Sequence, residues 1–211
     1  MEEHINNFLN PFGITITSED AEALITYIDC ILRWNKAKRI VGKQGFHEIL
    51  EDLILDSILP AIWLKDSPCL LDIGSGAGIP GIPLKIVLKD LELILVEPII
   101  KKATFLKWVT RELRLSHVNV VMKRIQDVQS VDLPFQLDTA ISRALSDPVA
   151  LIKTLIKLPL NIKYMILYTS WRYDAEGSLQ DAIKPFHLKY SLNYTIPHAK
   201  KRRLILLEYK P

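Results

Sequence analysis

The sequence predicts an α/β fold: a doubly wound, mostly parallel sheet with a C-terminal antiparallel hairpin strand, preceded by a small helical N-terminal region. Three observations predict it. After residue 66, short apolar runs alternate with helical segments, the pattern of parallel strands joined by crossovers. Before residue 66, apolar residues recur at helical spacing only. Near the end, the runs "LKYSLNYTI" and "LILLEY" flank the basic, Pro-containing "PHAKKRR", which reads as a hairpin and its loop.

The elements follow in order. Ser18-Glu19-Asp20 can cap and charge a helix start, and Ala21, Leu24, Ile25, Ile28, Ile31 and Leu32 then share one face. Phe46, Ile49, Leu50, Leu53, Ile54, Ile58 and Leu59 repeat the pattern before Pro60. Between them lies a basic link, Arg33 to Lys43. Strands are expected at Cys69–Ile73, Leu91–Glu97, Val118–Arg124, Thr139–Ser142 and Lys163–Thr169. Helices are expected at Pro80–Leu88, Ile99–Leu115, Asp147–Leu158 and around Ser178–Phe186, with a short turn near Gln126. Two regions result: residues 1–66, helical and a possible RNA-contacting subdomain, and residues 67–211, the ligand-binding domain.

The 211 residues suffice for one ordinary core and a small appendage. Lys and Arg total 27 against 24 acids, so only local clustering of charge carries information. Cys30 and Cys69 are in no metal or redox spacing, and no metal is expected. The N-terminus lacks a signal-peptide core and no apolar run has bilayer-spanning length, so a cytoplasmic protein without a membrane partner is expected. His4, His47, His117, His187 and His198 are scattered and form no catalytic constellation.

The informative stretch is "LLDIGSGAGIPGIPLKIV", residues 70–87. Gly76 to Gly81 matches G-x-G-x-x-G, the dinucleotide pattern. Its register argues otherwise. A dinucleotide fingerprint puts its first glycine at the strand end, which here is Gly74, and five residues on stands Ile79. Asp72 at the strand tip would also repel a pyrophosphate. What fits is D-x-G-x-G-x-G over Asp72, Gly74, Gly76 and Gly78. That loop suits a ligand with a nucleoside and a cationic amino-acid end and no phosphate. Glu97, closing the second strand, can take both ribose hydroxyls. It marks adenosine binding without choosing the cofactor.

These residues resemble the first motif of class I S-adenosylmethionine (SAM) methyltransferases, whose sheet is Rossmann-like with a terminal antiparallel hairpin. "DIGSGAGIPGIPL", "LVEPIIKKATFLKWVTRELRL" and "ISRAL" together resemble the RsmG (GidB) family of 16S rRNA methyltransferases. The resemblance implies SAM as cofactor, S-adenosylhomocysteine as product, and methylation of guanine N7 in the 530 loop of bacterial 16S rRNA. The partner is then 16S rRNA or a small-subunit precursor, met by a monomer. The resemblance also implies cofactor contacts at Gly74, Ile79, Ile125 and Gln126, and an arginine, Arg143, facing the pocket.

The chain departs from the family pattern at Lys38–Gly42, at Asp52-Leu53, at Gln126 and at Ser170-Trp171-Arg172. Alternatives therefore stay open: a SAM enzyme acting on another RNA site or a small molecule, or a non-catalytic RNA-binding paralogue.

Guanine N7 offers a lone pair and no proton must leave before attack, so the reaction needs alignment rather than a general base. Arg143 is the candidate positioning residue, for the guanine edge, a phosphate or the cofactor carboxylate. Its plain alternative is a structural ion pair, with Asp147 for instance. Trp171 could stack on an extruded base or simply close the core. RNA contacts are expected from Lys36, Lys38, Arg39 and Lys43 in the link, from Lys123, Arg124 and Arg172, and from the loop run Lys200, Lys201, Arg202 and Arg203.

Overall fold

The computed structural model describes residues 1–65, 67, 69–143, 148–170, 183–197 and 200–210. Helix α1 (Glu2–Leu9) leads to α2 (Ser18–Ala37). The α2 cap is Thr17, one residue earlier than the expected Ser18. Its hydroxyl accepts from the Asp20 amide while the Asp20 carboxylate accepts from the Thr17 amide, a reciprocal capping box. The expected helix over 46–59 is interrupted. It consists of α3 (Phe46–Ile49), a wide π turn (Leu50–Ile54) and α4 (Leu55–Ile58), followed by α5 (Ala61–Leu64).

Strand β1 (Cys69–Ile73), α6 (Gly81–Val87), β2 (Glu92–Val96), α7 (Ile100–Glu112), β3 (Val118–Val121), β4 (Thr139–Ser142), α8 (Pro148–Ile156) and β5 (Tyr164–Thr169) follow, close to expectation. A single 3-10 turn, Ile125–Asp127, stands where the short turn was placed. The end differs. The helix expected around Ser178–Phe186 lies mostly outside the described residues, and Phe186 itself opens β6 (Phe186–Ile196). The basic run is no loop: β7 (Lys200–Tyr209) contains all four cations.

The sheet order is β3-β2-β1-β4-β5-β7-β6, with β7 antiparallel to β5 and to β6 and the other pairings parallel. Both faces are buried, so alternate strand residues feed two cores. Leu70, Leu93, Leu95, Ile141, Ile166 and Leu204 pack against residues of α1, α2, α4, α6 and α7. Leu71, Ile73, Ile94, Val96, Met165 and Leu167 pack against Leu151, Ile152 and Leu155 of α8. The N-terminal helices thus share a core with one sheet face. The order reverses between β1 and β4, and a crevice for ligands lies beyond the carboxyl ends of these strands.

Candidate cofactor and RNA site

The loop after β1 turns on three glycines. Gly74, Gly76 and Gly78 have φ of 72°, 61° and 90°, a region that residues with a Cβ rarely adopt. Backbone and side chain hold the turn: the Gly74 and Ser75 amides donate to the Val96 carbonyl, and Tyr27 donates to the Ala77 carbonyl at 2.6 Å. The glycines do different work. A Cβ on Gly76 would meet nothing nearer than 3.9 Å, so the chain there borders open space. One on Gly78 would lie 2.4 Å from Ile82, so Gly78 serves the packing beneath the loop. Gly74 is exposed and Ile79 half-buried.

Asp72 is 1% exposed. Its Oδ2 accepts from the Gly81 amide at 3.0 Å, and its Oδ1 has no hydrogen-bond partner among the described residues. A Cβ on Gly81 would sit 2.7 Å from that Oδ2, which explains the glycine at the first position of α6. Burial pushes the Asp72 carboxyl up to about 7. The Gly81 amide opposes that shift, Glu97 adds to it and Arg143 opposes it. A buried carboxylate oxygen without a donor is costly unless a ligand supplies one. The amino-acid ammonium of SAM is such a donor, and Gly76 in the same loop borders open space. The residues present therefore fit SAM.

Glu97 is buried too. Its Oε2 accepts from the Gly76 amide at 2.8 Å and its Oε1 from the Ile99 amide at 2.9 Å. The carboxylate ties the glycine loop to the β2 end, and each oxygen keeps a lone pair for a hydroxyl. Beside it opens a cleft of about 480 Å³. It is lined by Ile73, Gly74, Val96, Pro98, Arg124, Ile125 and Gln126, and by Ala150, Leu151 and Thr154 of α8. The expected Ile125 and Gln126 are here. Arg124, expected at RNA, lines this cleft instead. The α8 residues escaped the sequence reading because nothing in an apolar helix tells which end faces a ligand.

Arg143 differs from expectation. Its guanidinium is turned toward the π turn. Nη1 donates to the Leu53 carbonyl and to Ser57 Oγ, both at 3.0 Å, and Nη2 donates to the Asp52 carbonyl at 2.9 Å. Nη2 also lies 2.8 Å from Asp56 Oδ2, and the ring of Tyr168 lies under the guanidinium. The ion pair is thus with Asp56, while Asp147 lies outside the described residues. The reason is electrostatic: Asp56 is 1% exposed and needs a cation. Tyr194 of β6 donates to Asp56 Oδ1, and Tyr168 of β5 to the Asp56 carbonyl at 3.1 Å. No sequence signal singled out Asp56, since its partners come from β4, β5 and β6.

The basic clusters meet in part. Lys43 of the link and Lys200 of β7 both reach Asp52 Oδ2, at 2.8 and 2.5 Å, and Lys43 also pairs with Glu48 at 2.7 Å. Burial pushes the Asp52 carboxyl up, but Lys200 and Lys43 outweigh it and hold the carboxyl below its ordinary range. Lys123 is held by Asp132 at 2.7 Å. These three cations are committed to acids, contrary to a reading of them as open RNA contacts. Strand geometry further divides the β7 run. Lys200 and Arg202 share the face of Leu204, while Lys201 and Arg203 share the face of Ile205. Lys36, Lys38 and Arg39 are exposed. Trp171 and Arg172 lie outside the described residues.

The sheet with its reversed hairpin, and the acid and glycine loop at its switch point, are those of a class I SAM-dependent methyltransferase. Solved structures share the fold. A SAM-dependent methyltransferase from Aquifex aeolicus aligns over 77% of this chain and 93% of its own, with a TM-score of 0.56 at 16% identity. The 16S rRNA methylase RmtB aligns over 97% and 80%, with a TM-score of 0.57 at 13% identity.

Sequence narrows the class. The family model GidB, rRNA small subunit methyltransferase G, matches residues 20–205, and the chain belongs to that family. The ribosomal RNA small subunit methyltransferase G of Helicobacter pylori strain HPAG1 is 33% identical over 163 residues, 77% of this chain and 89% of its own. That of Salmonella typhimurium strain LT2 is 36% identical over 144 residues, 68% of each chain. Among the described residues, no helix is long and apolar enough to cross a membrane.

Proposed function

We propose that the chain methylates N7 of a guanine in the 530 loop of bacterial 16S rRNA, working as a monomer in the cytoplasm. One observation carries the chemistry: the buried Asp72 Oδ1, without a hydrogen-bond partner among the described residues, at the strand end that opens the Gly74–Gly78 turn. Family membership supports the ribosomal RNA substrate.

SAM supplies a methyl group activated on a sulfonium. Asp72 would hold the ammonium end through its Oδ1. Glu97 receives the ribose hydroxyls on its remaining lone pairs, and Ile125 and Gln126 border the adenine. With SAM held there, the N7 lone pair would take the methyl carbon in line as its bond to sulfur breaks, so the purine would gain the positive charge that the sulfonium loses and the neutral sulfur of S-adenosylhomocysteine would be left. No side chain has to remove a proton. Arg143 acts at one remove. It anchors the π turn to the end of β4 and so shapes the wall that a guanine meets. Lys36, Lys38, Arg39, Lys201, Arg202 and Arg203 supply charge for the RNA.

The test is transfer of labelled methyl from SAM to unmethylated 30S particles and to their naked RNA, with the product atom located by mass spectrometry. Label on guanine N7 of the 530 loop is expected. Label on another atom, or none, overturns the proposal. Gly76→Trp is expected to fill the open space and abolish SAM binding in calorimetry.

A further inference from the structure

The outer side of α2 carries two adjoining cavities that the cofactor does not use. The first is a groove of about 780 Å³ lined by Arg33, Lys36 and Arg39, with Asp29, Asn35 and Gln44 among its polar walls. Its floor is built. Asn35 Oδ1 accepts from the Ile40 amide at 2.9 Å, and Asn35 Nδ2 donates to the Lys43 carbonyl at 3.0 Å, so the basic link is held beside the helix. Arg39 donates to the Gly42 carbonyl at 3.1 Å and remains exposed.

The second cavity, about 270 Å³, is lined by Trp34, Trp108, Ala37, Lys38 and again Arg33. The two indoles stack, with centroids 5.4 Å apart, and Arg33 lies 5.6 Å from the Trp108 ring centre. Trp34 Nε1 is buried with no acceptor among the described residues, where an indole ordinarily finds a partner.

We propose that these cavities form one track for single-stranded RNA: Lys36, Arg39 and Arg33 take phosphates, and the Trp34–Trp108 pocket takes a base. Cations that follow a backbone, next to an aromatic platform for bases, are the two parts such sites combine. A polyanion matches the groove's excess of cations over its one acid. The committed cations at Asp52 and Asp132 are outside this track, and among the described residues the three that line the groove make one ion pair, at an exposed Glu112. Arg33 faces Glu112 at 3.7 Å and Cys30 Sγ at 3.3 Å.

The proposal rests on the reading of RNA as substrate, and its test separates the two. The probe is an eight-nucleotide oligouridine, followed by tryptophan emission and by filter binding across a salt series. Binding with quenching is expected. Lys36→Gln with Arg39→Gln is expected to lower affinity at least tenfold and to reduce the salt slope by about one per lost contact. Trp108→Leu is expected to lose most of the quenching and about tenfold in affinity, the scale of one stacked base, with the salt slope unchanged. SAM affinity stays at the wild-type value in each.

Wild-type affinity and slope in the Lys36/Arg39 double variant overturn the track. If Trp108→Leu does not fold, Lys38→Gln read by quenching and affinity replaces it, and no change there overturns the base pocket. Methyl transfer to 30S particles distinguishes the two failures. A wild-type chain that methylates them while the double variant keeps its KM leaves the function standing without the track. A wild-type chain that transfers nothing to RNA removes the function itself.

Discussion

Asp72 carries opposing demands in one side chain. Buried among apolar strand residues, its carboxyl rises from an ordinary 3.8 to about 7, so without SAM the folded chain holds a proton that the unfolded chain releases at lower pH. With more protons bound in the native state, stability falls as pH rises from about 4 to about 7 and stays reduced above. Asp72→Asn removes the penalty. The ligand-free variant is expected to melt above wild type at pH 8, with the difference shrinking toward pH 4, in paired melting curves. Its SAM affinity is expected to collapse, because the ammonium loses its counter-charge. In the wild type, SAM affinity should climb with pH through 7 as the carboxylate ionises, which calorimetry in a pH series would read. A second residue makes a steric prediction. Gly81→Ala would push a methyl to within 2.7 Å of Asp72 Oδ2 and 2.8 Å of Leu95. The expected cost is about 1–3 kcal/mol of stability, the range for overpacking, measured by urea unfolding.

At the scale of elements, the joint between the N-terminal helices and the sheet depends on Arg143. One guanidinium at the end of β4 donates to two carbonyls of the π turn and stands in ion-pair contact with the buried Asp56. Arg143→Met would leave Asp56 as an uncompensated buried charge, and a loss of about 3–5 kcal/mol is expected in denaturant unfolding. Adding Asp56→Asn should recover much of it, since both charges are then gone. A double variant no better than Arg143→Met would show that the carbonyl bonds, rather than the ion pair, matter. The same joint shows what could be read in advance. The strands β1, β2 and β4 were legible because their apolar runs and flanking turns are local. The Asp72–Gly78 loop was legible because register against a strand end is also local. The π turn, the Asp56 network and the strand character of Lys200–Arg203 were not. The π turn and the Asp56 network are set by partners about 90 or more positions away, and Lys200–Arg203 by a hairpin pairing with Asn193–Ile196 that their composition does not announce. A proline and four cations in a row look like a loop until the pairing with β6 is known.

Over the whole molecule, positive charge is distributed in a way that composition hides. Lys43 and Lys200 join the link and the hairpin to Asp52, while Lys36 and Arg39 line an open groove. The basic run at the start of β7 therefore mixes a structural cation with cations that remain candidates for RNA. Strand alternation separates them. Lys200 meets Asp52 on the face covered by the N-terminal helices, and Lys201 points to the opposite face. Lys200→Glu and Lys201→Glu change net charge equally, at adjacent positions, so long-range attraction of RNA weakens alike in both. Only Lys200→Glu also sets two carboxylates against each other at a 3% exposed acid. It is expected to lower the melting temperature by several degrees, at roughly 2–4 °C for each kcal/mol in a chain of this size. Lys201→Glu sets no second carboxylate against Asp52 and should melt above Lys200→Glu. Equal melting of the two variants would mean that the hairpin does not depend on Asp52. With the expected difference in hand, a loss of rRNA affinity in Lys201→Glu, read at a temperature where its circular dichroism matches wild type, reports on RNA contact rather than on the Asp52 joint.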